Sequence, residues 1–171
     1  MDDCLIENWN QHVHAGDRVY FLGDFAFGNS LHAKEIMKSL NGNIYFIKGN
    51  HDRLNKLKAY EDLCVWMCNL HRIKINDFNF ETHKQHIVLC HYAMRIWDRR
   101  HYGAYHCYGH SHGTLPEDPY SLSADVGIDA VASRLAQENE TEMLPEYYRP
   151  ITYEEFKRWM QTRTWQTIDH H

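Results

Sequence analysis

Two stretches decide how this chain folds: RVYFLGDF (residues 18–25) and NIYFIKGNHD (residues 43–52). Each starts as a short apolar run and ends in glycine followed by groups able to bind a cation or carry a proton. Apolar runs without polar alternation are buried on both faces, which is the pattern of parallel pairing. Between them LHAKEIMKSL (31–40) has helical spacing, and Asn41-Gly42 closes that helix. Ahead of them MDDCLIENWNQHVH (1–14) sets Leu5, Ile6, Trp9 and Val13 near one helical face, with Ala15-Gly16-Asp17 as its stop. The order helix, strand, helix, strand predicts an α/β layered fold.

After residue 52 the pattern changes. A further helix is expected over 54–68, then shorter strands at 71–76, 78–82, 86–91, 104–110 and 123–129. Asn76-Asp77 suggests a tight hairpin between the first two. Residues 132–149 are polar and read as an excursion, and YEEFKRWMQ (153–161) reads as a last helix. No repeat or linker divides the 171 residues, so a single domain over 1–171 is expected.

Composition narrows the function classes. The chain is 43% hydrophobic with a formal net charge of −5 and no long basic stripe. That argues against strong nonspecific nucleic-acid binding and leaves a nucleotide substrate open. Apolar runs are strand-sized, so no membrane partner is expected. The acidic N-terminus lacks the hydrophobic segment of a signal peptide. Cys4, Cys64, Cys68, Cys90 and Cys107 are dispersed without a CxxC pair, which reads as free thiols and a cytoplasmic location. The unusual count is histidine, 14 against 18 lysines and arginines.

The metal-capable groups fall at the carboxyl ends of successive expected strands. Asp24 follows VYFLG; Asn50, His51 and Asp52 follow IYFIKG; His91 follows IVLC; His110 and His112 follow YHCYG. Loops at that edge of an open α/β sheet converge on one place, so four strands each delivering such a group form a joint signal that none forms alone. A carboxylate, an amide oxygen and three imidazoles without a thiolate suit borderline divalent ions such as manganese, iron, zinc or nickel. In an extended segment residues two apart point to one side, so His110 and His112 can each face one of two ions roughly 3.5–4 Å apart. Gly109 and Gly113 then let the backbone bend around them.

GD (23–24), GNHD (49–52), His91 in LCHYAM and GHSHG (109–113) together resemble the motif series of the calcineurin-like metallophosphoesterases, in order and spacing from about residue 18 to 130. DVGIDA (125–130) and YRPITYEEF (148–156) resemble a small bacterial or phage branch of that superfamily. The resemblance implies a four-layer α/β/β/α sandwich and a two-metal site hydrolysing a phosphomono- or phosphodiester, with a small molecule or nucleotide as substrate. By motif, Asp24 resembles the bridging carboxylate. Asn50, His91 and His110 resemble the remaining ligands of one metal, and His112 a ligand of the second. His51 resembles the histidine that contacts the phosphoryl group and assists the leaving oxygen. Asp52 is expected to orient that loop and tune His51.

One departure from the family pattern stands out. The family opens with an Asp-x-His at the end of a first strand, supplying two ligands to the second metal, and none precedes Asp24 here. The sheet is therefore expected to lack its first strand, and the second metal site to be weak or empty. A fragment or misassigned start is the first explanation and a natural short protein the second. The third is the tail Asp169-His170-His171, an Asp-x-His that substitutes for the lost one by permutation. The rival function is a non-catalytic scaffold holding one metal and a protein partner.

Other residues carry plainer readings. His106 alternates with Tyr105 and Cys107 and reads as structural. Arg95, Arg99 and Arg100 either attract phosphate or form an exposed charged turn. His12, His14, His32, His71, His83, His86 and His101 read as surface or packing residues. Asp125 and Asp129 are expected to shape a loop under the site.

Overall fold

The computed structural model describes residues 2–26, 28–79 and 83–168. Its architecture is mixed α/β, with two sheets. The first is parallel throughout, in the order β1 (Arg18–Phe21), β2 (Asn43–Ile47), β3 (Trp66–Cys68). The second runs β4 (Leu70–Asn76), β5 (Lys84–Cys90), β6 (Tyr105–Tyr108), β7 (Ser123–Asp125). Its β4–β5 pair is antiparallel, while β5–β6 and β6–β7 are parallel.

Strand periodicity divides the core between the two sheets. Ile44 and Phe46 of β2 face one way, into a cluster with Trp9 and Val13 at α1 (Asp2–His12), Ala33 and Met37 of α2 (Ser30–Ser39), and Leu57 and Tyr60 of α3 (Leu54–Tyr60). Ile47 belongs to the other cluster, with Leu22, the interior of the second sheet and residues of α4 (Ile128–Glu138) and α5 (Tyr153–Gln161). Phe21 and Phe46 stack with ring centroids 5.3 Å apart across the β1–β2 pair. Trp9 Nε1 donates to the Asn41 carbonyl at 2.9 Å, which ties α1 to the turn after α2. The α5 helix starts on a capping box: Glu155 N–H donates to the Thr152 hydroxyl and Thr152 N–H to the Glu155 carboxylate.

Four expected elements differ, the shortest departure being the strand expected at 123–129, which ends at Asp125 before α4 starts at Ile128. The helix expected over 54–68 stops at Tyr60, and after a single turn at Glu61–Leu63 the chain extends as β3. Three residues are too few for periodicity to separate strand from helix; the hydrogen bonds offered by the open edge of β2 decide it. The strand expected at 78–82 is absent at 78–79, which form the turn after β4, and residues 80–82 lie outside the described residues. The hairpin partner of β4 is β5, with Asn76 opposite Lys84. The polar excursion expected over 132–149 instead contains most of α4, which buries Ala130, Val131, Ala132, Leu135 and Ala136. Alanines bury well but add little to an apolar stripe read by eye.

Behind the β4–β5 turn lies a buried ion pair. The Lys157 ammonium stands 2.6 Å from the Asp77 carboxylate, and the Tyr153 hydroxyl donates to the same oxygen at 2.7 Å. Lys157, chiefly, and Tyr153 with it hold the Asp77 carboxyl well below the usual range, against the opposing effect of burial. Nearby, the Arg149 guanidinium meets the Glu155 carboxylate at 2.6 Å. Burial on its own would raise the Glu155 carboxyl, but Arg149 and the Thr152 amide outweigh it and bring it to about 2. A carboxyl lowered on folding adds stability above its ordinary value and loses it as pH falls toward the folded value. Glu155→Gln is therefore expected to lower the melting temperature at pH 7 by roughly 2–4 °C, the effect of about 1 kcal/mol in a domain this size. The difference from wild type should vanish as pH falls from about 4.5 to about 2; melting scans across that range check it.

Candidate metal centre

Two crossed loops build the site. The loop after β1 carries Gly23 and Asp24, and the loop after β2 carries Gly49, Asn50, His51 and Asp52. Asp52 is buried and acts on backbone: its carboxylate accepts from the N–H groups of Asp24 (2.7 Å), Phe25 (3.2 Å) and Gly49 (2.8 Å). Asp24 returns the contact, accepting the His51 N–H on Oδ1 at 2.8 Å. The loops approach so closely that a Cβ on Gly49 would lie 2.2 Å from Asp24 Oδ1 and 2.6 Å from the Asp24 nitrogen. A Cβ on Gly23, which has φ +93°, would lie 2.5 Å from the Gly49 nitrogen. Asp24 itself holds a left-handed φ of 57°, strain that the reciprocal hydrogen bonds sustain.

The second sheet supplies the imidazoles. His91 follows β5 directly and is 1% exposed. Its Nδ1 donates to the Leu22 carbonyl at 2.7 Å, which leaves Nε2 as the nitrogen with a lone pair. That Nε2 faces Asn50 Oδ1 at 2.9 Å, His110 Nδ1 at 3.1 Å and Asp24 Oδ2 at 3.3 Å. The N–H groups of Gly109 and His110 both donate to the His91 carbonyl, at 3.1 and 3.0 Å, and so fasten the loop after β6 to the end of β5.

Four side chains from four loops thus converge on one place. Asp24, His91 and His110 offer ligand atoms all within 4.8 Å of one another, and this group can hold one metal ion. The donor set of a carboxylate, an amide oxygen and two imidazoles, with one imidazole oriented by a backbone carbonyl, fits a borderline divalent ion. His110 is exposed and opens the site onto a hollow of about 420 Å³ that Ser111, His112, Thr114 and Leu115 also line.

The other expected site residues fall around this centre. His51 is exposed, its backbone bound to Asp24. The hydrogen bonds of Asp52 go to backbone amides, so its described role is to hold the two loops together. His112 stands outside the convergent group: it has a left-handed φ of 48° and its Nδ1 lies 2.8 Å from the Asp129 carboxylate. Asp125 accepts from the N–H groups of Gly113 and Gly127, at 3.0 and 2.8 Å, so it and Asp129 organise the loop behind His112. Asp169, His170 and His171 lie outside the described residues.

His106 is fully buried between the Val88 carbonyl and the Met94 N–H. Burial lowers its pKa, and its ring pins the loop that follows His91. Arg100 does not belong to an exposed turn: it is 3% exposed, lies over the Trp97 ring and donates to the Gln166 carbonyl. Three contributors were missed from sequence. The Leu22 carbonyl is backbone and leaves no residue signature. Tyr92, whose ring centroid is 4.8 Å from that of His110, is itself no motif residue. The Gly23–Gly49 approach was foreshadowed only by a glycine preceding each ligand loop. None of the five cysteines is paired.

No family model matches this chain. It is similar to the Uncharacterized protein MJ1445 of Methanocaldococcus jannaschii, 45% identical over 58 residues. That match spans 33% of this chain and 33% of the relative, so it covers about a third of either length. Among solved structures it resembles the protein of unknown function AQ665 from Aquifex aeolicus, with a TM-score of 0.55 at 16% identity. That similarity covers 92% of this chain and 84% of the other, and it concerns the fold. No described helix is long and apolar enough to cross a membrane.

Proposed function

We propose that this chain is a metal-dependent phosphoesterase of the calcineurin-like kind, acting on a phosphomono- or phosphodiester of a small molecule or nucleotide. The observation that carries this reading is the convergence of Asp24 Oδ2, Asn50 Oδ1 and His110 Nδ1 on His91 Nε2. Two sheets, one packed with α1–α3 and the other sharing a core with α4 and α5, support the four-layer sandwich that the reading implies.

Asp24, Asn50, His91 and His110 would hold the first cation. Bound there, a divalent ion supplies Lewis acidity toward phosphoryl oxygens and lowers the pKa of water. Asp24 Oδ1 and the Asp52 carboxylate keep the His51 loop at this edge. From it the His51 imidazole gives a proton to the departing alkoxide, so that the leaving group goes as the neutral alcohol. With Nδ1 on Asp129, His112 keeps Nε2 for a second cation, the arrangement in which a carboxylate orients a ligand histidine.

The test is turnover of bis(p-nitrophenyl) phosphate with Mn²⁺, reversed by EDTA and restored by Mn²⁺. His51→Ala is expected to cut kcat roughly 100- to 10,000-fold, as for loss of a general acid, while Mn²⁺ affinity changes less than about threefold. One observation favours the rival scaffold: His112, the expected ligand of a second ion, contacts Asp129 and is not in the group formed by Asp24, His91 and His110. Tight Mn²⁺ binding with no turnover on either a diester or p-nitrophenyl phosphate would establish that scaffold and overturn the phosphoesterase.

A further inference from the structure

A second concavity lies at the opposite end of β5 from His91. It is a groove of about 770 Å³ between the start of β5, the single turn at Arg100–Tyr102 and the segment after α5. His86 borders it, five residues before His91 and so roughly 17 Å away along the strand. The volume falls within the range of small-molecule sites.

Its lining is unlike the rest of an acidic protein. Lys84, His86, Arg99 and Arg163 contribute to it, and no aspartate or glutamate is among its described lining residues. Arg163 is committed to the Glu117 carboxylate and three backbone carbonyls, and so forms wall rather than a free charge. Arg99 differs: it is exposed on a left-handed backbone with φ 62° and meets no carboxylate among the described residues. Arg72 beside it is matched by Asp98.

His86 supplies the second observation. Its Nδ1 is buried and has no hydrogen-bond partner. Burial first, then Arg99, Arg72 and Lys74, lower its pKa against the opposing Asp98, a mark of positive charge concentrated at this end of the sheet. The half-buried His86 ring stands at the groove wall beside Lys84 and Arg99, and a cationic wall with no carboxylate among its described residues favours an anionic oxygen. Beside these groups stand the rings of Tyr102, 76% exposed, and Trp165, 37% exposed. Exposed aromatic faces next to a guanidinium suit a flat π-system that carries negative charge.

We propose that this groove binds a nucleoside monophosphate, with its phosphate at Arg99 and His86 and its base against Tyr102 and Trp165. The site is separate from the metal centre and independent of the phosphoesterase reading.

The probe is AMP, titrated calorimetrically into the full chain in EDTA, with adenosine and inorganic phosphate as separate arms. Saturable AMP binding with Kd below about 1 mM is expected, with each half-ligand at least about tenfold weaker. Arg99→Glu and Tyr102→Ala, both at exposed positions, are each expected to weaken AMP about tenfold or more while leaving melting temperature and Mn²⁺ affinity unchanged. His91→Ala should leave AMP binding intact. No saturable AMP binding, adenosine binding as tight as AMP, or binding lost through His91→Ala but indifferent to Arg99→Glu would each overturn the proposal.

Discussion

Gly49→Ala is expected to abolish measurable Mn²⁺ binding and to lower the melting temperature by roughly 5–10 °C. The new methyl carbon would sit 2.2 Å from Asp24 Oδ1 and 2.6 Å from the Asp24 nitrogen, inside the contact limits of both atoms. Backbone cannot swing aside as the tip of a flexible side chain can, so the two loops must separate. Separation breaks the Asp52 hydrogen bonds to Gly49 and Asp24 and the Asp24 bond to the His51 amide. Asp24 and Asn50 then no longer point at His91. Gly16→Ala is the control, because a Cβ there meets nothing within 4 Å. Calorimetric Mn²⁺ titration and a melting scan of both variants decide the matter. Wild-type affinity in Gly49→Ala would mean that the two ligand loops do not meet as described.

Lys157→Met carries the other large effect, on stability and not on metal. It leaves the Asp77 carboxylate, 5% exposed, with the Tyr153 hydroxyl and the Asn79 amide but no countercharge. Removing one partner of a buried pair strands the other, and a fall of roughly 10 °C in melting temperature at pH 7 is expected. The sign with pH follows from Asp77. Its folded carboxyl lies below the ordinary value, so its contribution is complete above about pH 4 and fades as pH drops further. Wild type and Lys157→Met should therefore converge in acid. Adding Asp77→Asn should recover part of the loss, since it removes the stranded charge. Mn²⁺ affinity should not change, because the pair lies at the end of the second sheet away from the ligands. A Lys157→Met protein as stable as wild type at pH 7 would show that the pair adds nothing to the fold.

Parts of this fold were readable in the residues and parts were not, for physical reasons. VYFL and IYFI are apolar without interruption and flanked by glycine, so strand and parallel pairing followed from local pattern. β3 is three residues long, and nothing in Trp66-Met67-Cys68 distinguishes it from a helix end until β2 offers an edge to pair with. The buried face of α4 is largely alanine, which gives little contrast to a helical apolar pattern. The character of His86 comes from burial first and then from Arg99, Arg72 and Lys74; Lys74 and Arg72 reach it across the antiparallel ladder and Arg99 from the turn beyond β5, so none is its neighbour in sequence.

From the linear order of residues came the identity of the candidate ligands and their place after strands, because strand pattern is local and a loop must follow its strand. Which of them can share one cation came only from folding. His110 and His112 are two positions apart and chemically alike, yet Asp129 draws one away while the His91 carbonyl holds the other's backbone beside Asp24. Those choices rest on contacts between residues far apart in the chain, and the closeness of Gly23 to Gly49 brings the Asp24 and Asn50 loops together in the same way.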